Sequence, residues 1–225
     1  MPEESGVVKF KTKDNIEIVG DYYKAQSDSG VLLLHMMPAD RKSFVKFAEK
    51  LRESGFKVLA LDLRGHGESQ GGPNGYKSFS DAEHQAFKFD VEAGTEFLQS
   101  TLRQSSGQGG KLYIVGASIG ANLALQYLAE HPEIKSAVLL SPGLDYRGVK
   151  TDGLITKLKN NQAVYAVASE DDKYSFDTIQ KLFEGLEFSY SRQIKIFSNA
   201  GHGTTIFETN PEFIDEVVEW LKKNN

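Results

Sequence analysis

Short apolar runs alternate with longer amphipathic stretches along most of the chain. Two alternating segments, Val7 to Thr12 and Ile16 to Tyr23, flank Asp14-Asn15 and predict a β-hairpin. Beyond them, apolar runs near residues 31–35, 57–61, 112–116, 136–141, 163–168 and 194–198 read as buried parallel strands. Helical spacing falls between the runs. Phe44, Phe47, Ala48 and Leu51 mark a first helix, stopped at Gly55, and Phe87, Val91, Gly94, Leu98 and Leu102 mark a second. Ile119 to Glu130 reads as a helix apolar on most faces, and Ile179, Leu182, Phe183 and Leu186 trace a later one. The last helix is expected to start at Asn210 as N-cap with Pro211 at its first position, burying Ile214, Val217, Val218 and Leu221. Ser105 to Gly110 reads as a surface connection. The pattern predicts an α/β protein with about eight strands, mostly parallel, in βαβ units.

Composition narrows the class. At 225 residues the chain fits one domain spanning residues 1–225, and 40% apolar with 25% charged residues suits a soluble globular protein. A net charge of −5 with no basic cluster argues against nucleic acid and anionic membrane surfaces as partners. Cysteine is absent, which excludes disulfides and thiolate metal sites. Met1-Pro2-Glu3-Glu4-Ser5 lacks the basic and apolar regions of a signal peptide, and no apolar run approaches the ~18 residues of a membrane span. A cytoplasmic protein is expected. No His or Asp cluster has metal-ligand spacing, so neither metal nor other cofactor is expected.

Candidate chemistry centres on Gly116-Ala117-Ser118-Ile119-Gly120, which joins an apolar strand to an apolar helix. A G-x-S-x-G at such a junction makes a turn so tight that the serine hydroxyl projects off the end of the sheet, marking Ser118 as a candidate nucleophile. Downstream, the run Ala163 to Ala168 ends in Ser169-Glu170-Asp171-Asp172, and Ile194 to Phe197 leads to Asn199-Ala200-Gly201-His202-Gly203. An acid and a histidine therefore follow the serine, each just past a strand end. His35-Met36-Met37-Pro38 follows Val31 to Leu34, and Asp62-Leu63-Arg64-Gly65-His66-Gly67-Glu68-Ser69 follows Val58 to Leu61.

These segments resemble the serine α/β-hydrolases of the carboxylesterase and lysophospholipase-like group, from about Val7 to the C-terminus. The resemblance implies an α/β-hydrolase fold, an eight-stranded sheet with helices on both faces. It also implies a Ser118, Asp, His202 triad acting on a small-molecule ester. Asp171 and Asp172 compete as the acid, with Glu170 a distant third. Counting three residues from Ser169 gives Asp172, and counting from Ala168 gives Asp171. By the family's geometry the backbone N–H groups of Met37 and Ile119 form the oxyanion hole. Met36 departs from the glycine expected after His35, while His35 and His66 read as structural and His84 and His131 as surface residues. Thioesterase, acyltransferase or small-peptide hydrolase chemistry would use the same triad. A non-catalytic binding module on this scaffold is the alternative from another class.

Between Ser141 and Gln162, where many relatives insert a helical cap, only about 22 residues remain, enough for a loop and one short helix near Gly153 to Asn160. Little or no lid is expected, with preference for short or medium acyl esters. Rate measured against ester concentration should therefore pass the solubility limit smoothly, and an abrupt rise there would show a lid.

Overall fold

The computed structural model describes residues 5–106, 110–186 and 191–224. Its strands are β1 (Gly6–Lys11), β2 (Glu17–Tyr23), β3 (Ser29–Leu34), β4 (Lys57–Leu61), β5 (Lys111–Ala117) and β6 (Ile134–Leu140). Next come β7 (Asp145–Tyr146), β8 (Val149–Lys150), β9 (Ala163–Ser169) and β10 (Arg192–Phe197). The helices are α1 (Val45–Glu53), α2 (Asp81–Gln85), α3 (Lys88–Ser106), α4 (Ile119–Glu130), α5 (Lys173–Leu182), α6 (Thr205–Thr209) and α7 (Phe213–Lys223). Eight strands form one sheet in the order β1-β2-β4-β3-β5-β6-β9-β10. Strand β2 runs antiparallel to β1 and β4, and the remaining pairs are parallel. Among the described residues, no helix is long and apolar enough to cross a membrane.

Side chains alternate across the sheet and feed two cores. Leu32, Leu34, Leu112 and Ile114 pack with α3, α4 and α5 on one face, while Val31, Leu33, Tyr113 and Val115 pack with α1, α6 and α7 on the other. Burial on both faces is why the strands read as continuous apolar runs. From β3 the chain crosses to β4 on one side, and from β5 to β6 on the other. The connections diverge above the carboxyl ends of β3 and β5, which opens a crevice there of the kind where open α/β sheets bind ligands.

Two buried arginines lock the first hairpin to the loop after β4. Arg41, only 3% exposed, pairs with Asp21, Asp62 and Glu68. Arg64 donates through Nε to Asp90 at 2.8 Å and through its terminal nitrogens to Asp14 at 2.5 and 3.0 Å. Burial raises the Asp90 carboxyl to about 6 against the opposing pull of Arg64. The loop that opens with Asp62 is thus a structural clamp beside the crevice.

Several expectations give way to local geometry. The span after β6 carries the β7–β8 hairpin, closed by Arg147 and Gly148 at φ 54 and 81, as well as a short 3₁₀ turn at Ile155–Lys157. Helix α3 runs on to Ser106, into the stretch read as a connection, whose residues 107–109 lie outside the described residues. Phe87 falls between α2 and α3, and Leu186 lies past the end of α5. Helix α7 starts at Phe213 rather than Pro211. Its entry is a tight turn in which the amides of Phe213 and Ile214 reach back three residues to Asn210 and Pro211. The Asn210 side chain instead donates to Thr209 and Ile206 at the end of α6, so it does not cap α7. His84 is buried, not superficial: its Nδ1 meets the Ser80 carbonyl at 2.9 Å and its ring lies against Phe79 and Phe87.

Removing Asp90 would strand the Arg64 guanidinium without its buried partner. Asp90→Ala is therefore expected to cost about 3–5 kcal/mol, read from the urea midpoint at unchanged slope.

Candidate active site

Ser118 sits between β5 and α4 at φ 56, ψ −120, a conformation that L residues avoid. Its amide donates to the Leu140 carbonyl at 2.8 Å and its carbonyl accepts from Ala121 and Asn122, so both sides of the turn fix the backbone. The flanking glycines answer a packing demand. A Cβ on Gly116 would lie 2.1 Å from the Gly120 carbonyl oxygen, and one on Gly120 would lie 2.2 Å from that of Leu34. Helix α4 can start hard against β3 only because both positions lack side chains. The Ser118 side chain lies at the crevice and is 7% exposed.

Strand ends in register bring the remaining residues to the same edge of the sheet. Ser169 at the end of β9 pairs with Phe197 at the end of β10, and Glu170 donates its amide to the Phe197 carbonyl at 2.8 Å. Two loops therefore rise side by side. His202 Nδ1 meets Asp172 Oδ2 at 2.6 Å. Nδ1 must carry the proton here, because the carboxylate can only accept. Asp172 is 12% exposed and the imidazole 37%. Burial acts to raise the Asp172 carboxyl, but hydrogen bonds from His202 and Ser175 outweigh it and hold the group below the usual carboxylate range.

Asp171 points elsewhere. It accepts from the Ser169 hydroxyl and from the Gly201 amide at 3.2 Å, and the Ser169 bond leads in lowering its carboxyl. Ser169 in turn accepts from the Ala200 amide at 2.7 Å, so this wholly buried hydroxyl ties the acid loop to the histidine loop. Glu170 is exposed.

Ile119 opens α4, so its N–H is among those a helix leaves without an internal acceptor. Met37 lies across the crevice, three residues past β3, with its side chain against the core that holds α4. His35 fixes this loop. Its Nδ1–H donates to the Met36 carbonyl at 2.9 Å and its Nε2 accepts from the Leu63 amide at 3.0 Å. That pattern requires a neutral ring, and burial pushes the imidazole down to about 4. His66 meets the His35 ring edge-on at 4.8 Å and stacks on Tyr76 at 4.0 Å, wholly buried.

Met36, which replaces the expected glycine, packs against the histidine loop. A Cβ on Gly203 would lie 2.4 Å from its sulfur, and Gly203 itself stands at φ 61. The side chain gained at position 36 fills the space that glycine leaves at 203.

Sequence reasoning missed Tyr146, Ser141 and Ser175. The Tyr146 hydroxyl lies 3.2 Å from Ser175 Oγ, with the Ser118 side chain beside it, and its ring meets His202 edge-on at 6.3 Å. Ser141, at φ 53, accepts the Gly203 amide at 2.9 Å. Tyr146 lies in a two-residue strand too short for periodicity to register, and Ser141 and Ser175 are polar positions that an apolar pattern does not mark. Among the described residues, no group of three or more His, Cys, Asp or Glu side chains could hold a metal ion.

The profile of the alpha/beta hydrolase fold family matches residues 31–184, and the chain belongs to that family. A Bacillus subtilis (strain 168) protein, the AB hydrolase superfamily protein YisY, is 27% identical over 113 residues. That match covers 49% of this chain and 37% of YisY, well under two thirds of the relative's length. Among solved structures, an esterase of Pyrococcus furiosus superposes with a TM-score of 0.79 at 21% identity, covering 98% of this chain and 92% of the other. A dienelactone hydrolase of Anabaena variabilis gives 0.77 at 18% identity, covering 98% and 97%. At these identities the likeness is one of fold, and the eight-stranded, mostly parallel sheet is the shared feature.

Gly203→Ala is expected to destabilise the fold by about 2–4 kcal/mol. Left-handed backbone accounts for about 1–2 kcal/mol and overlap with Met36 for most of the rest. A double-mutant cycle with Met36→Ala should recover about 1 kcal/mol or more as coupling, measured by denaturant unfolding.

Proposed function

We propose that this protein is a serine hydrolase of small carboxylic esters that works through an acyl-enzyme on Ser118. The observation that carries the reading is the 2.6 Å contact between His202 Nδ1 and Asp172, held at the same sheet edge as a serine in a strained strand-to-helix turn. Membership of the alpha/beta hydrolase fold family supports it, as does likeness to structures named as an esterase and a dienelactone hydrolase.

In this mechanism His202 Nε2 takes the Ser118 proton as Oγ attacks the ester carbonyl. Asp172 keeps the proton on Nδ1, which leaves Nε2 free to act as base, and stabilises the imidazolium that forms. The N–H groups of Ile119 and Met37 meet the tetrahedral oxyanion, with His35 steadying the Met37 loop. His202 then protonates the leaving alcohol, and water admitted past the part-exposed imidazole hydrolyses the acyl-enzyme. None of these steps calls for a metal or other cofactor. Short or medium acyl chains in a cytoplasmic setting complete the reading, which rests on the short span after β6 and on composition.

A fluorophosphonate probe should label wild-type protein at Ser118, and Ser118→Ala should lower ester turnover by about 10⁶. Asp172→Asn should cost about 10⁴ by freeing the wrong tautomer. Asp171→Asn, whose carboxylate faces Ser169, should cost less than about tenfold. Wild type that neither labels nor hydrolyses esters would make the chain a binding module, and the reverse order of the two aspartates would move the acid to Asp171.

A further inference from the structure

We infer that Tyr146 and Tyr174 form an aromatic corner on the leaving-group side of this site, which fits it to esters whose alcohol carries an aromatic ring. The inference rests on the hydrolase reading above and names a substrate class for it. The sheet order β3-β5-β6 places Ser118, at the end of β5, between the Met37 loop beyond β3 and the β7–β8 hairpin beyond β6. The Met37 oxyanion donor thus stands on one side of the serine and the hairpin on the other. His202 protonates the departing alcohol, and the Tyr146 ring meets the His202 ring edge-on at 6.3 Å. A surface laid against that imidazole from the hairpin side faces the alcohol half of the ester rather than the acyl half.

Both rings are held rigidly. The Tyr146 hydroxyl lies 3.4 Å from the Ser141 carbonyl and 3.2 Å from Ser175 Oγ, at two wholly buried serines. It therefore points into the protein, and the flank of the ring is what remains beside His202. Tyr174, two residues past the acid, accepts the Asp145 amide at 2.9 Å and donates its hydroxyl to the Asp145 carbonyl at 3.0 Å. The two rings meet at 5.5 Å with their planes 71° apart. Gly143 is their common seat: a Cβ there would lie 2.5 Å from the Tyr146 ring and 2.7 Å from the Tyr174 ring. The buried Asn122 of α4 fixes that seat, accepting the Gly143 amide at 2.9 Å and donating to the Val149 carbonyl of the hairpin at 2.7 Å.

Exposure gives the corner its purpose. Among the described residues Val7 and Tyr174 are the large hydrophobic side chains left exposed, and Tyr174 is 46% exposed while tied down at its hydroxyl. It stands one ring removed from the imidazole. An aromatic group on the alcohol can stack on one tyrosine and meet the other edge-on, which are the two arrangements aromatic pairs favour. A saturated ring of the same size buries similar area but lacks the quadrupole that rewards this geometry. Because both tyrosines are already fixed, little side-chain freedom is lost when the ring docks.

Butyrate esters of benzyl alcohol, cyclohexylmethanol and ethanol test this on the full chain, since all three form the same acyl-enzyme and kcat/KM compares their alcohols alone. Wild type should favour the benzyl over the cyclohexylmethyl ester by about threefold or more, a comparison that needs no variant. Tyr174→Ala should lower the benzyl-to-ethyl ratio of kcat/KM about tenfold, and reading each ester across proteins cancels the reactivity of its own leaving group. Tyr174→Phe keeps the ring but loses both hydrogen bonds to Asp145, and should hold that ratio within about twofold of wild type. Thermal melts check that both variants fold. Equal losses on every ester in both variants would mean that Tyr174 only secures the hairpin, and would overturn the corner. A loss in Tyr174→Ala that falls on ethyl phenylacetate, whose ring lies on the acyl half, instead of benzyl butyrate would overturn the leaving-group assignment. Wild type that is labelled by fluorophosphonate at Ser118 yet shows no preference for the benzyl ester overturns the corner and leaves the hydrolase reading standing. Wild type that does not label overturns both.

Discussion

Helix α4 begins where β3 ends, and almost every feature of the crevice follows from how close that approach is. The Leu34 carbonyl and the first turn of the helix occupy space that a side chain at position 120 would need, and the same turn excludes one at position 116. With both ends of the connection so confined, the chain reverses within Ala117 and Ser118, and positive φ at Ser118 is the way to do it. The reversal leaves Ser118 at the carboxyl end of β5, next to the amides that the first turn of α4 leaves without an intrahelical acceptor. Strain at one residue is held by packing contributed by β3, β5 and β6 together.

The same logic of shared space governs the opposite wall. Met36 and Gly203 sit on loops that leave different strands, yet one supplies a thioether where the other supplies only a hydrogen. A departure from family pattern at one position thereby acquires a rationale at another, 167 residues away in sequence and in contact in space. Above this pair, Ser141 and Ser169 each accept an amide from the histidine loop, so three loops are sewn together by small hydroxyls.

The strands of the sheet were legible because parallel strands buried on both faces leave uninterrupted apolar runs, as at Val31 to Leu34 and Val164 to Ala168. The positions of Ser118 and His202 were legible because glycines bracket both. What escaped was short or relational. Strands of two residues, as in β7 and β8, carry no period, and the buried Asn122 that anchors them sits unmarked in an apolar helix. His84 looks superficial in sequence because the rings that cover it, Phe79 and Phe87, come from either side of α2. The adjacent acids could be ranked only by counting, since their roles depend on which neighbour claims each carboxylate. Ser169 claims one and His202 the other. Asn210 followed by Pro211 obeyed the rule for a helix start, but the end of α6 had prior use of that side chain.

The first hairpin joins the sheet through β4, not through the strand that follows it in the chain. Its two ionic ties, Asp14 to Arg64 and Asp21 to Arg41, span 50 and 20 residues respectively. During synthesis β1 and β2 can close on one another at once, yet they have nowhere to dock until β3, α1 and β4 have all emerged. A two-stranded ribbon is marginal in water on its own. The hairpin thus precedes in the chain the strand on which it docks, and its native surroundings are complete only once β4 is in place.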